Sequence, residues 1–153
     1  PIEVHNFTEI PDNLMIELCI PEYVLLTKKA REVIPKEVPF HDYVKNMANS
    51  CSMIAALYKR DINLFGKAVD DRIVEKARAH LIPGFYDVKS SALKNGALGC
   101  SISGAGPTVF AVCNCMETSQ KVGKAMQKAF AKNKLKSKIH ITTVNKEGAF
   151  QIR

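Results

Sequence analysis

Residues 97–113 read ALGCSISGAGPTVFAVC, and this stretch decides the fold. Two apolar runs, Ala97–Ser103 and Thr108–Cys113, flank the tetrapeptide Gly104-Ala105-Gly106-Pro107, a pattern that predicts two strands joined by a loop. Glycines one residue apart allow the backbone to approach a bound group closely, and successive N–H groups in such a turn can form an anion-binding nest. Taken alone, the same pattern also fits a tight connection whose glycines serve only the turn.

Apolar spacing on either side of this hairpin predicts the other elements. Upstream, residues 14–20 alternate as a strand, and helical spacing follows at 27–34, 42–59, 64–70, 73–81 and 86–94. Downstream, residues 117–132 form the clearest helix and residues 139–144 a last strand. The order is that of an α+β, ferredoxin-like β-α-β-β-α-β sandwich with extra helices in the first crossover. We therefore expect a single domain over residues 1–153.

Two of these helices carry specific expectations about burial. The helix at 42–59 is apolar at helical spacing and rather apolar in between, so we expect it to be buried on more than one side. The helix at 117–132 sets Val122, Met126 and Phe130 on one face and lysines on the other. At the helix predicted over 27–34, Thr27 is a plausible N-cap.

The net charge of +7 is confined to one segment. Seven lysines and no acid lie between Thr118 and Lys138, and the charges elsewhere cancel. This segment lacks interleaved aromatic residues, so it favours a solvated helix face over nucleic-acid binding.

Membrane, disulfide and metal-binding classes find no support in the sequence. No run approaches the roughly 20 apolar residues of a membrane span, and no charged-then-apolar leader opens the sequence, so we expect a cytoplasmic protein. Five cysteines are an odd number in mostly apolar surroundings, which favours reduced thiols. Cys113-x-Cys115 with His140 lacks the spacing of common zinc motifs, so we expect no metal site.

Three segments, in order along the chain, resemble the GHMP family of small-molecule kinases and, within it, the homoserine kinases. Thr27-Lys28-Lys29-Ala30-Arg31, followed by Ile34-Pro35, is similar to their Thr-x-x-Ala-Arg…Leu-Pro segment. Residues 78–85, RAHLIPGF, are similar to their Arg-x-x-Leu-x-Pro-Gly-Phe segment. Residues 101–108, SISGAGPT, resemble the third glycine motif of the wider family. The resemblance extends from Ile16 to Ala149.

The resemblance implies roles for particular residues. It assigns substrate binding to Arg31 and Arg78, and the rigid fork of a guanidinium suits the carboxylate of an amino acid such as homoserine. Thr27, one helical turn before Arg31 on the same face of its helix, is a further candidate for substrate binding. It also assigns support of the phosphate end of the site to the glycine loop, at Ser101, Ser103, Gly104, Ala105, Gly106 and Thr108. No catalytic residue and no metal ligand is identified in this sequence.

The resemblance implies a transfer of the ATP γ-phosphoryl group to the homoserine hydroxyl, with Mg²⁺, in threonine biosynthesis. The family's main ATP loop, Pro-x-x-x-Gly-Leu-x-Ser-Ser-Ala, does not occur here, so we expect a C-terminal domain without its N-terminal ATP-binding domain. Such a chain is expected to be inactive alone and to bind neither ATP nor Mg²⁺ tightly. Its expected partners are homoserine, ATP, the N-terminal domain and, as in many homoserine kinases, a second copy.

Two other readings stay open from the residues alone. One is another kinase of the same family, acting on mevalonate or a sugar, although the paired arginine segments argue against it. The other is a stand-alone ferredoxin-like module that binds an amino acid without catalysis.

Overall fold

A computed structural model describes residues 10–145 of the chain. The strands form one four-stranded sheet in the order β2-β3-β1-β4, with every neighbouring pair antiparallel. This order confirms the ferredoxin-like α+β arrangement. The strands are β1 (Met15–Pro21), β2 (Gly99–Ile102), β3 (Val109–Cys113) and β4 (Ser137–Thr143).

Six α-helices accompany the sheet in this part of the chain. Five of them lie between β1 and β2, which confirms the extra helices in the first crossover. The helix predicted over 73–81 is an α-helix followed by a 3₁₀ turn, Ala79–Leu81. None of the helices in residues 10–145 is long and apolar enough to cross a membrane. They are α1 (Thr27–Glu32), α2 (Phe40–Lys59), α3 (Ile62–Ala68), α4 (Val74–Arg78), α5 (Phe85–Lys94) and α6 (Met116–Lys132).

Helices α5 and α6 cover one face of the sheet and enclose the main core. This face takes the alternate β1 residues Met15, Glu17 and Cys19, as the period of two along a strand requires. The largest buried side chains above it are Phe85 of α5 and Phe130 of α6. The predicted apolar stripe of α6 is therefore confirmed, and its lysines at 121, 124, 128 and 132 are exposed.

A carboxyl group lies inside this core. Glu17 is fully buried against Gly123 of α6, where a Cβ would come within 2.6 Å of Glu17 Oε1. Neither carboxyl oxygen has a hydrogen-bond partner among the described residues. Burial raises the pKa of Glu17 to about 7, because the charged form loses its hydration.

Helices α2 and α3 pack on the other face of the sheet. Met53 and Leu57 of α2 join a smaller cluster around Leu14 and Val112. Helix α3 approaches β2 backbone to backbone, since a Cβ at Gly66 would collide with Leu98 and a Cβ at Gly99 would collide with the carbonyl oxygen of Gly66.

The expectation that α2 is buried on more than one side is wrong. Of its twenty residues only Ala56 is buried, and its large apolar side chains include Phe40, 79% exposed, and Met47, 51% exposed. The physical reason is that α2 meets the sheet and α3 along one side only. On its other side the large apolar side chains from Phe40 to Ile54 are exposed.

Two further expectations need adjustment. Leu26, not Thr27, occupies the N-cap of α1, and no side chain caps that helix, so Thr27 is its first helical residue. The single-domain assignment to residues 1–153, and the resemblance as far as Ala149, extend beyond the described residues at their ends and stay predictions.

Candidate functional site

Arg78 joins the three segments that the sequence singled out. At the end of α4, its Nε donates a hydrogen bond to the carbonyl oxygen of Ala30 at 2.8 Å, and its Nη1 donates to that of Gly104 at 2.8 Å. Ala30 belongs to α1 and Gly104 to the glycine loop, so one half-buried guanidinium ties both to α4. Segments 26 and 48 residues away along the chain thus meet at one side chain.

Arg31 and Thr27 lie next to this junction. Both belong to α1, one helical turn apart, and both are exposed, while Ala30 between them is buried. Within the described part of the chain, the Arg31 guanidinium has no ion-pair or hydrogen-bond partner. A charged fork of this kind is available to a ligand.

The glycine loop is the β2–β3 connection, as predicted, and it presents backbone donors. The N–H of Ser103 donates to Thr108 and that of Gly106 to Ser103, which fixes the turn. The N–H groups of Gly104 and Ala105 find no acceptor in the described residues. Gly104 has φ +57° with open space where a Cβ would be, so a ligand can approach its backbone.

The hydrogen bond from Arg78 to the carbonyl oxygen of Gly104 anchors this loop, and apolar side chains pack against it. A Cβ at Gly106, whose φ is +81°, would come within 2.9 Å of Ile82 and 3.4 Å of Leu25. Glycine is therefore required here by backbone conformation and by close packing. Ser103 and Gly104, by contrast, are exposed at the tip.

Ser101 lies apart from the exposed tip. It is buried in β2, and its hydroxyl donates a hydrogen bond to Glu75 Oε2 at 2.6 Å. Glu75 Oε1 accepts from Lys89 Nζ at 2.5 Å. The carboxylate, buried in α4 three residues before Arg78, thereby links α4, α5 and β2. Sequence reasoning missed Glu75, because an acid in a short amphipathic helix is usually solvated and nothing in its neighbours marks it otherwise.

The start of α4 is fixed by a second polar cluster. Asp71 accepts hydrogen bonds from Asn46 Nδ2 at 3.0 Å and from the backbone N–H groups of residues 73, 74 and 75. Burial raises the pKa of Asp71, but these hydrogen bonds outweigh it, so the pKa lies below its ordinary value. Asn46 Oδ1 in turn accepts from the N–H of Arg72. The helix that carries Arg78 is thus held to α2.

The remaining surface offers less defined chemistry. No group of three or more histidine, cysteine or acidic side chains within residues 10–145 is placed to hold a metal ion. A groove of about 710 Å³ between α5 and α6 is lined by lysines and lies on the sheet face away from α2. All five cysteines are free thiols, as expected.

Comparison with known proteins decides the family. The family model described as GHMP kinases C terminal matches residues 53–132, just over half of the chain. The chain belongs to this family. The match includes α4 with Arg78, the glycine loop and α6, and it begins within α2.

The curated relatives of this GHMP kinase chain include homoserine kinases from bacteria and a plant. The homoserine kinase of Chlorobium phaeobacteroides is 45% identical over 91% of this chain and 44% of its own length. That of Arabidopsis thaliana is 41% identical over 90% of this chain and 38% of its own length. The chain therefore spans less than half the length of the relatives that it matches.

Solved structures of GHMP kinases show the same fold. The crystal structure of homoserine kinase from Cytophaga hutchinsonii superposes with a TM-score of 0.87 at 42% identity, covering 90% of this chain and 44% of that one. Leishmania major mevalonate kinase, in complex with R-mevalonate, superposes with a TM-score of 0.60 at 14% identity, covering 82% of this chain and 42% of that one. The latter likeness concerns the fold alone.

Proposed function

We propose that this chain is the C-terminal, substrate-binding part of an ATP-dependent homoserine kinase, which phosphorylates the homoserine side-chain hydroxyl in threonine biosynthesis. The observation that carries the proposal is the Arg78 contact, which gathers both arginine segments and the glycine loop in one place. Its identity of 41–45% to homoserine kinases from distant organisms favours homoserine over mevalonate or a sugar.

The arginines hold the carboxylate of the amino acid. Arg78 commits two of its five N–H donors to backbone carbonyls, which leaves three for a ligand and fixes the direction in which they point. Arg31 adds a second exposed guanidinium from α1. Thr27, on the same face of α1, lies within reach of the same ligand.

The glycine loop supports the phosphate end of the site. The unpaired N–H groups of Gly104 and Ala105, with the exposed hydroxyl of Ser103, fit a phosphate oxygen. Bound ATP would supply the phosphoryl group, and catalysis of such transfers consists mostly of positioning and charge stabilisation. The described residues offer no acidic cluster that fits Mg²⁺, so we assign it no ligand from this chain.

By itself the 153-residue chain should not phosphorylate homoserine. It offers a carboxylate grip and one edge of a phosphate site, but no ATP loop, and its relatives are more than twice as long as the segment they share with it. Turnover of homoserine by the purified chain would contradict this part of the proposal.

The test uses an extended enzyme, in which the part of Cytophaga hutchinsonii homoserine kinase that precedes the matched segment is joined to Pro1 of this chain. We expect it to phosphorylate homoserine and not mevalonate. Arg31→Ala should raise the KM for homoserine about tenfold to a hundredfold, because a charged hydrogen bond contributes about 1.5–3 kcal/mol. Lys29→Ala, exposed on the same helix, is the matched control and should leave the KM unchanged.

Arg31 separates ligand binding from folding more cleanly than Arg78 does. Because Arg31 makes no hydrogen bond or ion pair with described side chains, Arg31→Ala should also leave the melting temperature of the 153-residue chain unchanged. Arg78→Ala should raise the KM and lower the melting temperature together, since it also removes two hydrogen bonds between segments. An unchanged KM in both variants would remove the arginines from the substrate site.

A further inference from the structure

Helix α2 carries an exposed apolar stripe that the described residues do not cover. Its members recur at alternating steps of four and three residues, which places them along one side of the helix. The exposed fractions of its large side chains range from 46% for Val44 to 79% for Phe40. The stripe consists of Phe40, Val44, Met47, Cys51 and Ile54.

The helix cannot turn this stripe inward. On its inner side Met53 and Leu57 pack into the cluster around Leu14. Asn46 donates to Asp71 and accepts from the N–H of Arg72, and Asn49 donates to the carbonyl oxygen of Asp70 at 2.6 Å. These contacts fix the rotation of α2 about its axis and therefore keep the stripe at the surface of the domain.

Exposed apolar side chains are concentrated in the part of the chain that includes the stripe. Among the described residues, twelve of the seventeen exposed large apolar side chains lie between Ile20 and Tyr58. Large exposed apolar patches on a soluble protein mark surfaces to which another protein or another part of the chain binds. The exposure of the lysine face of α6 is explained by the hydration of its charges. Hydration does not explain the exposure of large apolar side chains on α2.

The position of the stripe indicates its occupant. The relatives carry more than half of their length outside the matched segment, and the family model is that of the C-terminal part, so the remainder precedes it. Ile10, where the described residues begin, packs in the cluster that also holds Met53 and Leu57. The polypeptide that precedes this domain in a relative thus enters beside α2.

The stripe is also continuous with the candidate site. Near its first turns α2 binds the segment that leads into α4 through the Asn46–Asp71 hydrogen bond, and it binds α4 itself through the ion pair between Asp42 and Lys76. Helix α4 ends at Arg78. A domain seated along α2 would therefore border the arginines and the glycine loop.

We propose that the α2 stripe is the docking surface for the N-terminal part of the kinase, and that this contact completes the active site. The inference rests on the proposed function for the identity of the occupant. It predicts that the stripe is closed in the extended enzyme and open in the 153-residue chain.

Two exposed cysteines of the chain provide the test. Cys51 lies in the stripe, whereas Cys115 precedes α6, which packs on the opposite face of the sheet. We would measure the alkylation of each thiol by iodoacetamide with mass spectrometry. Cys51 should react about tenfold or more slowly in the extended enzyme than in the 153-residue chain, because alkylation requires access to the thiol. The rate at Cys115 should be the same in both.

Variants on α2 sharpen the measurement. Met47→Asp in the extended enzyme should restore the alkylation of Cys51, and Ala48→Asp, an exposed position next to the stripe, is the matched control. Met47→Asp should leave the melting temperature of the 153-residue chain unchanged, whereas a residue of the chain's own core would lower it. A second test does not depend on the folding of the extended enzyme. It uses intact Cytophaga hutchinsonii homoserine kinase with a cysteine at the position aligned with Cys51, and we expect this thiol to be protected as well.

Equal alkylation of Cys51 in the long and short proteins would overturn the inference. So would protection of Cys51 in the 153-residue chain that grows with concentration alongside a dimer mass, since a second copy would then cover the stripe. Homoserine turnover, measured on the same samples, tests the proposed function separately. An active enzyme with an open stripe refutes only the docking surface, and an inactive one with a protected stripe refutes only the activity.

Discussion

Helices α2 and α6 are both long and amphipathic in sequence, but the apolar face of α6 is buried and that of α2 is mostly exposed. Helix α6 buries its apolar residues under the sheet and turns lysines to water. Helix α2 is held to the domain by Asn46 and Asn49 and by the packing of Met53 and Leu57, and it leaves most of its apolar residues outside. Apolar spacing thus predicts a helix in both places. It does not show whether the rest of this domain covers the apolar face.

Truncation of an aromatic side chain on each helix gives the largest expected contrast. Phe130→Ala in α6 should lower the free energy of unfolding by about 3–5 kcal/mol, because it leaves a cavity in the main core. Phe40→Ala in α2 should change it by less than about 0.5 kcal/mol. Urea unfolding of the 153-residue chain measures both. Similar losses in the two variants would mean that α2 is covered in solution.

The second-largest effect is expected from Glu17, the buried carboxyl group beneath α6, on the pH dependence of stability. The pKa of Glu17 is about 7 in the folded chain and near 4.5 when unfolded, so its contribution to stability is present below pH 4.5 and is lost as the pH rises toward 7 and beyond. The loss should approach about 3 kcal/mol. Glu17→Gln should remove most of this dependence in urea unfolding between pH 5 and pH 8.

Glu117→Gln, an exposed position on α6 itself, is the control for Glu17 and should keep the wild-type dependence. If the free energy of unfolding changed equally between pH 5 and pH 8 in the wild type and in Glu17→Gln, Glu17 would ionise in the folded chain without a cost in stability.

The polar attachment of α2 is expected to be weaker than the apolar attachment of α6. Asn46→Ala should lower the free energy of unfolding by about 1–2 kcal/mol, because it leaves the N–H of Arg72 without its acceptor. It should also raise the pKa of Asp71 toward its ordinary value, since a hydrogen bond to the carboxylate is lost. Carbon-detected NMR titration and urea unfolding check the two effects.

Ser50→Ala provides the comparison for Asn46, since the Ser50 hydroxyl bonds only within α2, to the carbonyl of Asn46. A larger loss in Ser50→Ala than in Asn46→Ala would contradict the idea that asparagines attach this helix.

The outer face of α6 should give the smallest effect. Lys124 is exposed, so Lys124→Gln should change the free energy of unfolding by less than about 0.5 kcal/mol. The extended enzyme should show an equally small change, because this face stays in water there too. A loss confined to the extended enzyme would mean that its additional part docks on α6 instead of α2.

Much of the fold could be predicted from the sequence, because strand alternation and helix spacing are local patterns. The glycine loop and the buried face of α6 follow from residues 97–132 alone, and the ferredoxin-like sheet follows from the order of the elements along the whole chain. The motif segments also pointed to Arg78. The exposure of α2 could not be predicted, since its cover depends on residues outside the pattern.

Long-range polar contacts were equally beyond sequence reasoning. Nothing local indicates that Glu75 meets Ser101 and Lys89, or that Asn46 binds the start of α4, because these pairs lie 14 to 26 residues apart. The positions of the arginines could be inferred from motifs, but the two carbonyl groups that orient Arg78 became visible only in the folded chain.

The close approach of α3 to β2 has a consequence for how this domain can vary over generations. A Cβ at Gly66 would collide with Leu98 and a Cβ at Gly99 would collide with the carbonyl oxygen of Gly66, so replacing one glycine does not make space for replacing the other. Neither glycine can be replaced by a single substitution while the helix and strand backbones keep their spacing. A lineage that departs from it must first separate the helix from the strand, and would then have to rebuild the strand edge that leads into the glycine loop.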